Sequence, residues 1–324
     1  AAPSGDGSCS MEDRITVMAA RGIQLHFGTD HDHVADYRPI VGALGLEPYM
    51  ASVVASEVSP VLRGHHNVYP LTSDPSLPSG SQYLWYRELV DDTQQMLDIL
   101  RERYPGVLIQ ANHPLDSGVG EAAGWSEGKI AKPDFWSPDH DAVEVINDNN
   151  REYFAYYLDL VNHGILPMGV SVSDTHGCTS GDPGLHVTWL HMSEDPQDYT
   201  DEALRQAYAE RSAVASMGPF VRLSELPGST LTAPTTLTAE AFTPSWIVID
   251  ELVLMEDGVE VEVVEGDTAS FELDPEQDAS YVVVARGSQG MAPVWPGRQP
   301  WAMTNAILFD VDGDGWDPPS GLGF

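Results

Sequence analysis

Two hydrophobic periodicities alternate along the chain from Ser10 to about Arg211. Ser10 with Asp13 has the form of a capping box and predicts a helix through Ala20, which Gly22 ends. The apolar run Ile23–Gly28 then reads as a strand that delivers Thr29-Asp30-His31, and Ala51–Ser56 as a second that ends at Glu57. From Tyr83 to Arg103 apolar residues fall at helical spacing (Leu84, Leu89, Met96, Leu97, Leu100), predicting a long helix closed by Pro105. Val107–Gln110 and Ala142–Ile146 read as strands, residues 151–162 as a helix, Gly169–Ser173 as a strand and Asp201–Arg211 as a helix. Strand–helix alternation of this kind predicts an α/β domain of parallel strands with helices outside.

Beyond about residue 220 the pattern changes. Ser229–Ala285 is rich in Thr, Val and Glu, with alternating runs at Val259–Val263 and Tyr281–Ala285 and turn residues such as Asp257-Gly258. This predicts an antiparallel β-sandwich. The expected division is therefore residues 1–222 for an α/β barrel and 223–324 for a β-sandwich whose C-terminal tail returns to the barrel. The segment Leu115–His140 interrupts the first rhythm with four glycines, Trp125, Phe135 and Trp136, and reads as a lid over a site.

Composition narrows the partners. The 324 residues carry a formal charge of −35, which argues against nucleic acid or an anionic membrane surface. No apolar run reaches the roughly 18 residues of a membrane span. Lysine occurs only at Lys129 and Lys132, and an acid-rich, lysine-poor surface suits high salt or an extracellular setting. The chain starts at Ala1 without methionine, so a secreted, periplasmic or cell-surface protein from which an N-terminal segment has been removed is expected.

Short His/Asp/Glu motifs follow the apolar runs: Thr29-Asp30-His31, Ser56-Glu57, Gly64-His65, Asn112-His113-Pro114 and Ser173-Asp174-Thr175-His176. Strands that each end in a metal-binding side chain predict a multinuclear centre at the rim of a barrel. Imidazole and carboxylate donors without thiolates suit divalent ions, zinc first, with manganese or iron as alternatives. A carboxylate such as Glu57 is suited to bridging two ions, because each oxygen can take one. Gly-x-Ser-x-Gly is absent, so nothing marks a serine nucleophile.

The order of these motifs resembles the PHP (polymerase and histidinol phosphatase) metallohydrolases, and within them the carbaryl hydrolase-like branch. The likeness is carried by Thr29-Asp30-His31, Gly64-His65-His66-Asn67-Val68-Tyr69-Pro70-Leu71, His113-Pro114 and Ser173-Asp174-Thr175-His176, with a similar ending at Pro300–Leu308. The resemblance implies a distorted (βα)7 barrel and a metal-dependent hydrolase acting on phosphoesters or carboxyl or carbamate esters of small molecules. Carried over residue by residue, Glu57 would bridge the first and second ions. His65 and His113 would hold the second and Asp174 the first, while His31 and His176 would serve the third with Asp6. Glu57, His113 and Asp174 would be the catalytic set, and a hydroxide bridging two ions the nucleophile. One departure is clear. No His-x-His pair precedes Asp6 to complete the first metal site, and the expectation is that it lies upstream of Ala1. The rival reading follows from that departure: a non-catalytic secreted binding or surface protein that has lost its first metal site.

Cys9 and Cys178 lie near Asp6 and His176, on loops expected to face each other across the barrel rim, which predicts a disulfide; two unpaired thiols are the alternative. His26, on an apolar run, is expected to be a buried structural histidine, and His66 to point away from its neighbour. His163, His186 and His191 lack carboxylate company. Glu144, inside a β run, needs a partner and is a candidate for the surroundings of the metals. Arg63 and Asn67 beside His65 are candidates to meet a substrate oxyanion. Asp310-x-Asp312-x-Asp314-Gly315 resembles the start of a calcium loop, but Gly321 stands where an EF-hand requires glutamate.

Overall fold

The computed structural model describes residues 4–60, 62–81, 92–126, 128–146 and 152–321. Ala1 and the Tyr83–Asp91 part of the expected long helix lie outside the described residues. The chain packs as two units, one of Ala1–Val143, Ser173–Gly184 and Met192–Gln206, the other of Glu144–Val172, Leu185–His191 and Ala207–Phe324. The expected cut between residues 222 and 223 does not match this interleaved division.

The first unit opens with helix α1 (Met11–Ala20), capped by Ser10 as its spacing predicts: Ser10 Oγ accepts from Asp13 N at 3.0 Å and donates to Asp13 Oδ2. Strand β1 (Leu25–Gly28), helix α2 (Arg38–Ala43) and strand β2 (Ala51–Val54) follow, with β1 parallel to β2 from Leu25↔Ala51 to Gly28↔Val54. The strand expected over Ala51–Ser56 breaks at Ala55, and β3 (Ser56–Val58) starts a different ladder. There β3 runs antiparallel to β4 (His66–Tyr69), and β4 antiparallel to β5 (Leu108–Ala111). The segment that leads to β5 carries helix α3 (Thr93–Arg103), capped by Asp92. Helix α4 (Val119–Ala123) follows, and the opening of strand β6 (Ala142–Ile146) continues the ladder parallel to β5. Two apolar clusters hold the unit together. Ile15, Met18, Tyr37, Val41 and Met50 pack under α1 and α2, and Val54, Val58, Val68, Leu97, Leu100 and Ile109 under α3.

This ladder corrects the expected fold. A (βα)7 barrel needs each strand parallel to both neighbours with a helix between them, whereas β4 is antiparallel to both of its partners. Strands also dominate, at eighteen against six α-helices among the described residues, and most of them pair antiparallel.

The second unit is two β layers sharing one core. A three-stranded sheet holds Phe220–Leu223, Thr235–Phe242 and Thr268–Leu273, and a larger sheet includes Ala213–Met217, Glu251–Glu256, Ala279–Arg286, Trp301–Thr304 and Ile307–Phe309. Leu237, Ala239 and Phe271 of the first meet Leu252, Leu254, Tyr281, Val283, Ala302 and Ile307 of the second. The tail lies within this unit's own sheet, since Trp301–Thr304 pairs with Ala213–Met217 and with Val284–Arg286. Its partner Ala213–Met217 lies ahead of residue 222, so the tail pairs back onto the stretch expected to precede the sandwich.

Candidate metal centre

The backbone brings four of the expected donors together before any side chain is considered. His31 bridges to Glu57 in parallel register, with Asp32 N donating to Glu57 O at 2.8 Å and Glu57 N to Asp30 O at 3.1 Å. Across the ladder Glu57 faces Asn67, and Asn112 N donates to His65 O at 3.0 Å. Because β4 is antiparallel to β5, its first end and the last end of β5 coincide, so His65 and His113 meet. His65 thus precedes its strand, where the parallel-barrel reading placed it after one. Gly64 permits the approach: its φ is +76°, and a Cβ there would stand 2.3 Å from Val119 N.

Glu57 is the centre of the arrangement and is 4% exposed. Its Oε1 lies 3.0 Å from His65 Nδ1 and 3.6 Å from His113 Nε2, and its Oε2 3.5 Å from His31 Nδ1. Burial works against its ionisation, but His113, His65 and His31 outweigh that cost and hold the carboxyl far below the usual carboxylate range. Neither Glu57 Oε1 nor His65 Nδ1 makes a hydrogen bond, although both are buried. A second group lies on the other side of His31. Asp6 Oδ2 is 3.3 Å from His31 Nε2 and 3.4 Å from His176 Nε2. Burial is the largest single influence on the Asp6 carboxyl and raises it, but the Ser4 hydroxyl, His31 and His176 together bring it below its ordinary value. Two of the possible ion-holding groups therefore lie here: His31–Glu57–His65, with a buried carboxylate between two half-buried rings, and Asp6–His31–His176, open to solvent.

The ring orientations are set by neighbours. His113 Nδ1 donates to the Asp116 carbonyl at 2.6 Å and His176 Nδ1 to the Asp174 carbonyl at 3.0 Å, which puts the ring proton at Nδ1 and the lone pair at Nε2 in each ring. His31 Nδ1 lies 2.6 Å from Ser59 Oγ. Hydrogen bonds that fix the far nitrogen of a histidine are the usual support of a metal ligand. Donor separations of 3.0 to 3.6 Å also fit a shared cation. Tetrahedral zinc with bonds of about 2.0–2.1 Å spaces its ligands by about 3.3 Å. The donor set and its two orphaned atoms therefore fit divalent ions. His113 and Asp174 both hold left-handed backbone, with φ of +26° and +43°, a conformation that non-glycine residues rarely adopt outside constrained sites.

Six of the seven expected donors are within 3.6 Å of another donor's ligand atom. Asp174 is different. Its carboxylate comes only to 4.0 Å from His176 Nδ1 and falls outside both groups, while its carbonyl orients that ring. His113 likewise stands beside Glu57 without joining either group. Sequence reasoning did not find Ser59, whose hydroxyl fixes His31, although its place two residues after Glu57 is a signal. It also missed Arg14, buried in α1, whose guanidinium donates to Thr175 O at 2.8 Å and steadies the Asp174–His176 loop.

Other expectations resolve individually. His26 is buried against Tyr37, with Nδ1 3.1 Å from Ser52 Oγ, and burial together with the Arg14 charge pushes its pKa down to about 4. His66 is buried and stacks on His140 at 5.2 Å. Arg63 donates to Asp134 O and lies 5.1 Å from the Phe135 ring, so it is engaged with the Leu115–His140 segment and not held toward Glu57. That segment is not a bare loop, since it carries α4 and a turn of 3-10 helix at Pro133–Phe135. Glu144 is buried in β6 in the second unit. Asp310 accepts from Gly313 N and Gly315 N and stands with Asp278 and Asp312 in an acidic turn.

The Cys9–Cys178 disulfide is formed, with Cα atoms 5.6 Å apart. No helix among the described residues is long and apolar enough to cross a membrane. No family model and no curated protein matches the chain. Among solved structures it is similar to the fibronectin(III)-like modules of Clostridium thermocellum CbhA, at 16% identity over 28% of this chain and 97% of that one, with a TM-score of 0.22.

Proposed function

We propose that this chain is a metal-dependent hydrolase of small-molecule esters, acting on phosphoester or on carboxyl or carbamate ester bonds. The observation that carries the proposal is the convergence of His31, His65, His113 and His176 on the two carboxylates Glu57 and Asp6, with two rings anchored at Nδ1 by carbonyls. The order of these residues along the chain resembles that of the PHP metallohydrolases.

Glu57 and His65 would hold one divalent ion, with His113 beside the same Glu57 oxygen and His31, its Nδ1 engaged by Ser59, at the edge of the group. Asp6 and His176 would hold another together with His31. Such ions supply Lewis acidity toward a P=O or C=O oxygen and bring the pKa of water toward about 7. The chain's own groups prepare the site for them. Glu57 stays ionised at neutral pH despite its burial because the surrounding imidazoles favour the carboxylate form, and Asp6 because the Ser4 hydroxyl does so together with His31 and His176. The carbonyls of Asp116 and Asp174 keep the ring proton of His113 and His176 at Nδ1, away from the centre. The low exposure of Glu57 keeps bulk water from its carboxylate, and the exposure of Asp6 and His176 leaves the outer group open to an arriving substrate.

Screening aryl phosphoesters and aryl carboxyl and carbamate esters with zinc or manganese tests the proposal. Turnover is expected with at least one class, and Glu57→Gln and His65→Ala should each abolish it. Undiminished turnover in either variant would sink the assignment, and inactivity against every class would favour the binding-protein alternative.

A further inference from the structure

The two groups of donors are held by different means. Those of the inner group sit on or beside hydrogen-bonded ladders: His31 bridges to Glu57, Glu57 lies in β3, and His65 directly precedes β4. Asp6 and His176 have no such support. Residues 5–9 and 172–180 belong to no helix or strand, and the side chains of Asp6 and His176 are 42% and 46% exposed, so packing does little to restrain them. Apart from the Arg14 bond from α1 to Thr175 O, what joins these two segments is a short set of cross-links. Ser8 N donates to His176 O at 3.0 Å, and the disulfide connects Cys9, three residues after Asp6, to Cys178, two residues after His176. The bond thus ties together two stretches 169 residues apart, at the point where each presents its donor.

We propose that the Cys9–Cys178 disulfide is the clamp that assembles the outer cation site, so that loading of Asp6–His31–His176 depends on the oxidised bond and loading of His31–Glu57–His65 does not. The inference rests on the reading of these groups as ion sites. Its redox step is an exchange with a dithiol. One thiolate of the reductant attacks the Cys178 sulfur, the less buried of the two, and Cys9 leaves as a thiolate. The second thiol then closes the reductant into a cyclic disulfide and releases Cys178. Two electrons and two protons pass from the dithiol to the protein, which ends with two thiols.

The test compares zinc content and zinc affinity of the wild type, Cys9→Ser/Cys178→Ser, Asp6→Asn as a reference for the outer site and His65→Ala as a reference for the inner one. Each protein is loaded with zinc, desalted and assayed by inductively coupled plasma mass spectrometry, then titrated against a chromophoric chelator. The double serine variant is expected to match Asp6→Asn: one ion retained at wild-type affinity, the second bound at least tenfold more weakly. If that variant does not fold by circular dichroism, folded wild type is reduced with a dithiol, freed of it by anaerobic gel filtration, loaded and assayed in the same way. Two ions at unchanged affinity without the disulfide would overturn the clamp and leave the metal reading standing, as would loss of both ions together from folded protein. Less than one ion on the oxidised wild type would overturn the metal reading and the clamp with it.

Discussion

Glu57 shows how a single residue gathers the site. A buried carboxylate is costly unless it is partnered, and this one faces three imidazoles within 3.6 Å. The motif residues were legible in the sequence because their chemistry is rare on apolar runs. Their supports were not: Ser59 and the Asp116 carbonyl act through hydrogen bonds that no spacing announces. Ser59→Ala should therefore weaken metal affinity by about 10–100-fold without removing a ligand, and unchanged affinity would show that His31 needs no anchor. A second residue-scale expectation concerns acid. His26 titrates near 4 in the folded protein against 6.5 ordinarily, because burial disfavours its charged form and Arg14 repels it. The unfolded chain then binds the extra proton between those values, so this contribution is intact above pH 6.5 and is lost as pH falls toward 4. It totals on the order of 3 kcal/mol. His140, also near 4, adds a slope of the same sign. Urea unfolding at pH 7.5, 6 and 5 should show falling stability, less steeply in His26→Gln; equal slopes in the two proteins would refute the assignment.

At the scale of elements, capping and helical spacing read correctly where the cause is local. Ser10 caps α1 and the valine runs near 259 and 281 are strands, because their signals lie within a few residues. Strand direction is not local. A four-residue apolar run looks the same whether it pairs parallel or antiparallel, and β4, read as part of a histidine motif, runs antiparallel to β3 and so overturns the barrel. The anchor of the tail is illegible for a similar reason. Asn305, inside a stretch that looked like a family ending, is a structural hub. Its Oδ1 accepts from Gly169 N and Tyr157 Oη, and its Nδ2 donates to Gly169 O and Ala213 O. Truncating it strands buried backbone groups that have no access to water. Asn305→Ala should cost on the order of 3 kcal/mol in denaturant unfolding, and a loss below about 1 kcal/mol would mean that water or repacking replaces the amide.

At the scale of the whole molecule, the chain is strongly acidic, yet its candidate centre is rich in histidine and is gathered within one of its two units. All seven expected donors belong to that unit although they span residues 6 to 176, and this convergence was legible only as an ordered list of motifs. The central claim is that these donors hold divalent ions. The most direct test is the metal content of wild-type protein purified without chelator, measured beside Glu57→Ala. Two transition-metal ions per wild-type chain and fewer than one in Glu57→Ala are expected. Less than one ion on the wild type after reconstitution with zinc and with manganese would contradict the account.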